Sequence, residues 1–328
     1  MVRWLGAIGV VLAGAAAAQH YQPPSHLTGP PTILQKASPQ EVQALADGGG
    51  QIEQGRPARW SLAEHRRLSS ALAAIQAGRK GVVDAYVVAV ALDSDPVFGR
   101  EAREAARVLS RRYDAAGRTI VLAGSDGAAE SAHPRGSPDN IAAALARVAE
   151  AMDTAEDVLI LYTTSHGAPL GVVYNDGDQG YGALSPYRLW QMLGDLGIGN
   201  RMILVSACYS GVFVPLLQSP TSVIVTAASS ERSSFGCVSD NDWTFFGDAL
   251  INHALRKPQP LAAAVSDAIG LVSGWEAGEA LTPSEPQVSI GAHVARWLGP
   301  LEGRTPHIAT APVGRPAVAA IKSIPHRR

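Results

Sequence analysis

Residues 201–211 read RMILVSACYSG. The first six form a short apolar run of the kind that fills a buried parallel strand; the next five turn to small and polar residues. A thiol, Cys208, therefore sits just past the carboxyl end of a strand. The same layout occurs upstream, where VLILYT (Val158 to Thr163) is followed by Ser165-His166-Gly167. Three further runs belong with these: YVVAVAL (Tyr86 to Leu92), TIVLA (Thr119 to Ala123) and SVIVTA (Ser222 to Ala227). Helical spacing separates them. Phe98 to Tyr113 carries Ala102, Ala105, Ala106 and Leu109 on one face. Ser137-Pro138 and Ser185-Pro186 each read as a cap followed by a first-turn proline. The first opens a helix with Ile141, Leu145, Val148 and Met152 inward, the second one with Leu189, Met192, Leu193 and Leu196 inward. Helices over Trp243–Leu255 and Leu261–Ser273 complete the pattern. Strands alternating with helices predict an α/β fold, a three-layer α/β/α sandwich around a mostly parallel sheet.

The chain has 328 residues, 46% of them hydrophobic, and a formal net charge of −2. That length can bury a sizeable core in one or two domains. The near-neutral balance gives no electrostatic footprint for nucleic acid. Two cysteines are too few for a disulfide framework or a multi-cysteine zinc site. No metal, phosphate-loop or serine-elbow motif occurs, and no cofactor is expected.

Residues 1–18 read as a secretory signal peptide: Arg3, an uncharged stretch from Trp4 to Ala18, and a small-residue Ala16-Ala17-Ala18 end before Gln19. This predicts an exported protein, periplasmic or secreted, with no stable membrane insertion after cleavage. Residues 19–80 form a Pro/Gln/Gly-rich leader with a short helix over Pro39–Ala46 and another over Trp60–Ala77. That second helix is expected to be capped by Ser61 and to bury Leu62, Leu68, Leu72 and Ile75. Its role as pro-segment, packing layer or tether stays open. Residues 81–300 form the main domain, and 301–328 a flexible basic tail. His20, His26, His307 and His326 fall in the expected flexible ends and read as solvated.

Ligands of an open parallel sheet sit beyond the carboxyl ends of its strands. Cys208 and His166 both lie there, on strands expected to be neighbours about 4.8 Å apart. A thiolate is a nucleophile, and an adjacent imidazole stabilises it or protonates a leaving amine. The amides of Gly167 and Cys208 can face a developing oxyanion. Cys237 is expected to be a buried small hydrophobe; a disulfide between it and Cys208 would abolish nucleophilicity.

The segments VLILYTTSHGAPLGVVYND, RMILVSACYSGVFVPLL and VIVTAASSERSSFGCVSDNDWTFFGDAL resemble, in order over residues 82–256, the legumain (asparaginyl endopeptidase) family of cysteine peptidases, in a bacterial exported form. The resemblance implies a caspase-like α/β/α fold and a metal-free dyad. Cys208 matches the nucleophile, His166 the general acid/base and Gly167 the oxyanion-hole glycine. Ser233, Ser234 and Asp248 match the walls of a pocket for the substrate's Asn side chain. Ser206 stands where plant and animal members carry Glu, and Ser165 where they carry Asp. After the first strand the family has an Asn and then an Arg; here the region runs from Asp93 to Arg100. Asp95 is assigned to orienting His166, and Arg100 to reaching the pocket.

The expected function is a cysteine endopeptidase acting on peptides or proteins through a thioester, with cleavage after Asn or Asp. A transamidase or peptide ligase on the same dyad, and a non-catalytic exported binding domain of the same fold, are the alternatives. Nothing in the sequence sets an oligomeric state.

Overall fold

The computed structural model describes residue 26, residues 29–124 and residues 132–321. The predicted signal peptide, His20 and His326 lie outside the described residues. Two short helices, α1 (Thr32–Lys36) and α2 (Pro39–Asp47), lead into strand β1 (Gln51–Glu53) and helix α3 (Ala58–Ala73). The main layer order then begins: β2 (Ala85–Ala91), α4 (Pro96–Arg112), β3 (Thr119–Leu122), α5 (Pro138–Ala151) and β4 (Val158–Thr164). Three short strands follow, β5 (Gly167–Ala168), β6 (Gly171–Asp176) and β7 (Gly180–Leu184). After them come α6 (Pro186–Asp195), β8 (Arg201–Ser206), α7 (Val214–Leu217), β9 (Ser222–Thr226), α8 (Phe245–Gly247), α9 (Leu261–Gly278), β10 (Gln287–Ile290), α10 (Ala295–Glu302) and α11 (Ala317–Ile321).

The central sheet has six strands in the order β10-β9-β8-β4-β2-β3, all parallel except the antiparallel edge strand β10. Successive side chains of a strand point to opposite faces, and here both faces are covered. Val87, Ala89, Ile160, Tyr162, Met202, Leu204, Val223 and Val225 pack with residues of α4, α9 and the 245–255 segment. Tyr86, Val88, Val90, Leu159, Leu161, Ile203, Val205 and Ile224 pack with α5 and α6. Full burial of an aliphatic side chain contributes about 1.5–3 kcal/mol. The predicted three-layer, mostly parallel architecture is the one found. Both serine caps form: Ser137 Oγ accepts from Asn140 N and Ser185 Oγ from Arg188 N, each contributing about 1 kcal/mol.

Several expectations are corrected. Helix α3 starts at Ala58 behind Pro57, with Ser61 inside it, and Leu62 is 51% exposed. As expected, Leu68 and Leu72 pack partly buried against the core and Ile75, just past the helix, is 4% exposed; the helix also buries Glu64, which accepts from Arg135 N and Asn140 Nδ2. The helix expected over 243–255 is the short α8 followed by a π-helical segment, Asp248–Ala254. The chain beyond 303 is strapped down through Ala317: Val313 O accepts from Trp243 Nε1, Val313 N donates to Asn252 Oδ1, and Ala317 N donates to Asp248 Oδ2. A second, antiparallel sheet, order β1-β7-β6-β5, has no counterpart in the sequence pattern. It sits directly behind His166.

Candidate active site

Strands β4 and β8 pair in parallel with Thr164 opposite Ser206, and Ser165 N donates to Ser206 O at 3.2 Å to carry the ladder one step further. His166 and Cys208 each lie two residues beyond that matched pair. The two loops then touch: a β-carbon on Gly167 would stand 1.9 Å from Cys208 O and 2.9 Å from Cys208 N. Only glycine fits there. Ser165 Oγ donates to Val173 O at 2.6 Å, and Val173 N donates to His166 O at 2.9 Å, so the β5–β6 hairpin holds the histidine's backbone.

The Cys208 loop has its own supports. Tyr209 adopts the left-handed region at φ 56°, turning the chain sharply after Cys208. Tyr209 N donates to Arg232 O, and Ser210 Oγ accepts from Ala228 N at 3.1 Å. A β-carbon on Gly211 would meet Ser230 N at 2.5 Å. The Ser-Gly half of the Cys-x-Ser-Gly motif thus anchors the turn to the end of β9.

Cys208 is half-buried as a residue, and its sulfur is held by the following loop. Ser234 N donates to it at 3.3 Å, and Ser234 Oγ lies 3.7 Å away. A hydrogen bond from the Cys237 thiol, bonds from Ser234 and the charge of His166 outweigh burial and pull the Cys208 thiol down to about 6. Cys237 is buried as expected, 4% exposed. The Cys208 hydrogen bond and burial push the Cys237 thiol well up.

His166 stands edge-on to Phe98, ring centroids 5.0 Å apart, and its Nε2 lies 3.7 Å from Asp95 Oδ2. Burial disfavours the imidazolium, but the Asp95 hydrogen bond and the charges of Asp93 and Cys208 outweigh it and raise the His166 pKa. For Asp95, burial is likewise outweighed, by the His166 hydrogen bond and the His26 charge, and its carboxyl stays below the usual range. Asp93 Oδ1 accepts from Asp95 N at 2.8 Å, while Leu92, Ser94 and Asn175 bond the loop to β6. The two loops touch through Gly167 and Cys208, and the charges of Cys208 and His166 act on each other's pKa.

The remaining expected site residues divide. Ser234 is at the sulfur, and half-buried Ser233 is beside it in the chain. Ser206 is buried beneath the site, its Oγ 2.9 Å from Thr244 Oγ1. Arg100 reaches the loop but bonds its backbone, donating to Ser239 O and Asn241 O, with Asp242 at 3.4 Å; its side chain stays 35% exposed. Asp248 is sealed in the fold. Its carboxylate accepts from Asn252 Nδ2 and Ala317 N, both at 2.8 Å, and it is 0% exposed. It is a structural anchor for the tail and not a pocket wall.

Two contributors were missed. Glu101, fully buried in α4, accepts from Tyr162 OH at 2.6 Å and Thr244 N at 2.8 Å. It ties the floor of the site to the loop carrying Cys237; its place among charged residues of α4 gave no signal. His26, expected to be solvated, lies between Asp93 (3.0 Å) and Asp178 (2.9 Å) with its side chain 8% exposed. Burial opposes its charge, but the Asp93 hydrogen bond and the charges of Asp93, Asp95 and Asp178 raise its pKa to about 9. Donor atoms of His26, Asp93 and Asp95 lie within 4.8 Å of one another, a spacing that suits a shared cation. The imidazolium itself supplies that positive charge.

Among the described residues, no helix is long and apolar enough to cross a membrane. No curated protein matches the chain. A structural search finds similarity to caspase-1 from Spodoptera frugiperda, at 13% identity and a TM-score of 0.40, covering 66% of this chain and 92% of that one. Residues 135–266, which include His166, Gly167, Cys208, Ser234 and Cys237, match the Peptidase C13 family. Cys208 and His166, at adjacent strand ends, both lie inside that matched region. That similarity covers 132 of the chain's 328 residues and marks it as a cysteine-type peptidase.

Proposed function

We propose that the protein is an exported endopeptidase that cleaves after Asn or Asp through a Cys208–His166 dyad. The observation that carries the dyad is the β4–β8 register, with Thr164 opposite Ser206. It supports placing imidazole and thiol at one rim. The Cys208 thiolate attacks the scissile carbonyl. The amides of Gly167 and Cys208 face the developing oxyanion. The His166 imidazolium protonates the leaving amine, leaving a thioester on Cys208. Neutral His166 then takes a proton from water as the water attacks the thioester. The acid product leaves, and the thiolate–imidazolium pair is restored.

The preference for Asn or Asp draws on the family resemblance and on the polar wall at Ser233 and Ser234. A hydroxyl donates or accepts, so it suits either an amide or a carboxylate. The export reading rests on the layout of residues 1–19.

A fluorogenic peptide panel varied at the residue before the cut, run on wild type and Cys208→Ala, tests this reading. Turnover by wild type alone, highest with Asn or Asp, is the expected result. Equal turnover by Cys208→Ala would overturn the dyad, and a flat panel would overturn the specificity.

A further inference from the structure

Helix α4 finishes in a run of cations. Arg107, Arg111 and Arg112 lie in its last turns, and Arg256 and Lys257 follow the π-helical segment that packs beside it. The strap beyond residue 303 closes the third side: Arg111 donates to Ile308 O at 3.1 Å and Arg256 to Thr310 Oγ1 at 3.2 Å. Between them lies a cleft of about 360 Å³, open to solvent and lined by these five cations together with Thr305 and Thr310. Phe98, which meets His166 edge-on, stands thirteen residues before Arg111, about 20 Å along the helix axis. The cleft is a place apart from the peptidase site.

Its cations outnumber their counter-ions. Arg107 and Arg256 both donate to the one carboxylate of Glu104, and Lys257 pairs with Asp267 at 2.9 Å. Arg111 and Arg112 have no carboxylate within 4.0 Å among the described residues. Arg112 is 2% exposed and donates to the carbonyl oxygens of Leu255, Lys257 and Gln259. Five positive charges thus face two negative ones. Cations suit the carbonyl end of a helix, which accounts for arginines at the end of α4 but leaves the excess in the joined cleft uncompensated. A buried charge without a counter-ion is costly. Thr305 Oγ1 is also buried there without a hydrogen-bond partner.

We propose that this cleft binds a phosphate-class polyanion, with Arg107, Arg111 and Thr305 as its principal donors. A carboxylate would offset one charge of the excess, whereas a phosphate group carries about two and a pyrophosphate more. Guanidinium forks match phosphate oxygens in pairs. Arg111 has the most donors to offer, since it makes one hydrogen bond, to Ile308 O. The Arg107 side chain is 61% exposed and can turn from Glu104 toward the anion. The volume lies near the lower end of small-molecule sites, about 300–1,000 Å³, so the cleft takes an anionic head and little more. Because Thr305 and Thr310 belong to the strap, the bound anion ties the strap to α4.

Isothermal titration of the full chain with sodium pyrophosphate at constant ionic strength tests the site. Saturable binding at one site per chain is expected, with a rise in melting temperature. The double variant Arg107→Ala, Arg111→Ala changes two exposed side chains; folded by circular dichroism, it should bind at least tenfold more weakly. Thr305→Val removes only a hydroxyl and should weaken binding about fivefold, the scale of one hydrogen bond. Arg66→Ala, which removes an exposed charge on α3, should bind as wild type. Sedimentation with phosphatidylcholine vesicles, with and without phosphatidic acid, separates a soluble source of the phosphate from a lipid headgroup. Pyrophosphate binding alone assigns a soluble ligand. Sedimentation that needs phosphatidic acid and is lost in the double variant assigns the headgroup, and both together assign the phosphate group itself. No binding in either arm, binding unchanged in the double variant, or an equal loss in Arg66→Ala overturns the proposal. None of these readouts involves peptide hydrolysis, so failure of the dyad leaves the site standing.

Discussion

Gly167 and Cys208 approach so closely that a β-carbon on the first would lie 1.9 Å from the carbonyl oxygen of the second. The histidine loop and the nucleophile loop are therefore in backbone contact. Gly167→Ala must force them apart. It should lower kcat/KM by about a hundredfold or more, the scale of losing an oxyanion donor, while circular dichroism shows the sheet retained. Activity close to wild type would mean that the contact has no part in catalysis.

The charge pattern at the site sets a pH profile. Attack needs the Cys208 thiolate, so activity should be lost as pH falls through about 6. Protonation of the leaving amine needs the His166 imidazolium. Its pKa is raised, so activity should persist above pH 6.5 and fall only when that proton leaves. A plot of kcat/KM against pH measures both limbs; a profile rising steadily through the alkaline range contradicts the assignment.

In the proposed mechanism Asp95 would act only through His166, whose Nε2 lies 3.7 Å from its carboxylate. In Asp95→Asn the negative charge that supports the imidazolium is gone, so the alkaline limb should move to lower pH. A drop in kcat with the alkaline limb unmoved would indicate a structural role instead.

Asp248 separates pocket from anchor. Asp248→Ala leaves Ala317 N and one Asn252 donor without their carboxylate. Unpaired buried donors cost about 1–3 kcal/mol each. The expected result is a lower melting temperature with an unchanged ratio of rates for Asn and Asp peptides. A changed ratio in stably folded protein would return Asp248 to the pocket.

His26 links leader stability to pH. Its folded pKa of about 9 lies above the ordinary 6.5, so its contribution is complete below pH 6.5 and is lost as pH rises through 9. Urea unfolding of wild type should weaken across that window more steeply than that of His26→Ala. Parallel curves would show that the ion pair adds nothing.

The sequence is most transparent where burial is complete. YVVAVA, VLILYT and RMILVS are apolar on both faces because both faces are covered, and Ser137 and Ser185 announced their helices by chemistry alone. It is opaque where short elements carry mixed residues. GVVYND, GYGAL and QVSI gave no periodic signal, yet they form β6, β7 and the edge strand β10. That Cys208 and His166 fall at one edge was legible because parallel neighbours bring their carboxyl ends to the same side of the sheet. The neighbourhood of Cys237, the burial of Asp248 and the docking of His26 depend on loop paths that no local pattern encodes.

The leader's attachment carries a last consequence. Gln51, Ile52 and Glu53 add a strand to β7, Glu53 accepts from Tyr174 OH, and Arg56 clasps Asp176 on the same hairpin. A detachable plug would rest on side chains alone and slide free when cut. This segment is woven into the hairpin behind the histidine, so proteolytic trimming upstream of Gln51 would leave the weave intact, whereas a cut beyond it would unravel the backing of His166 together with the leader.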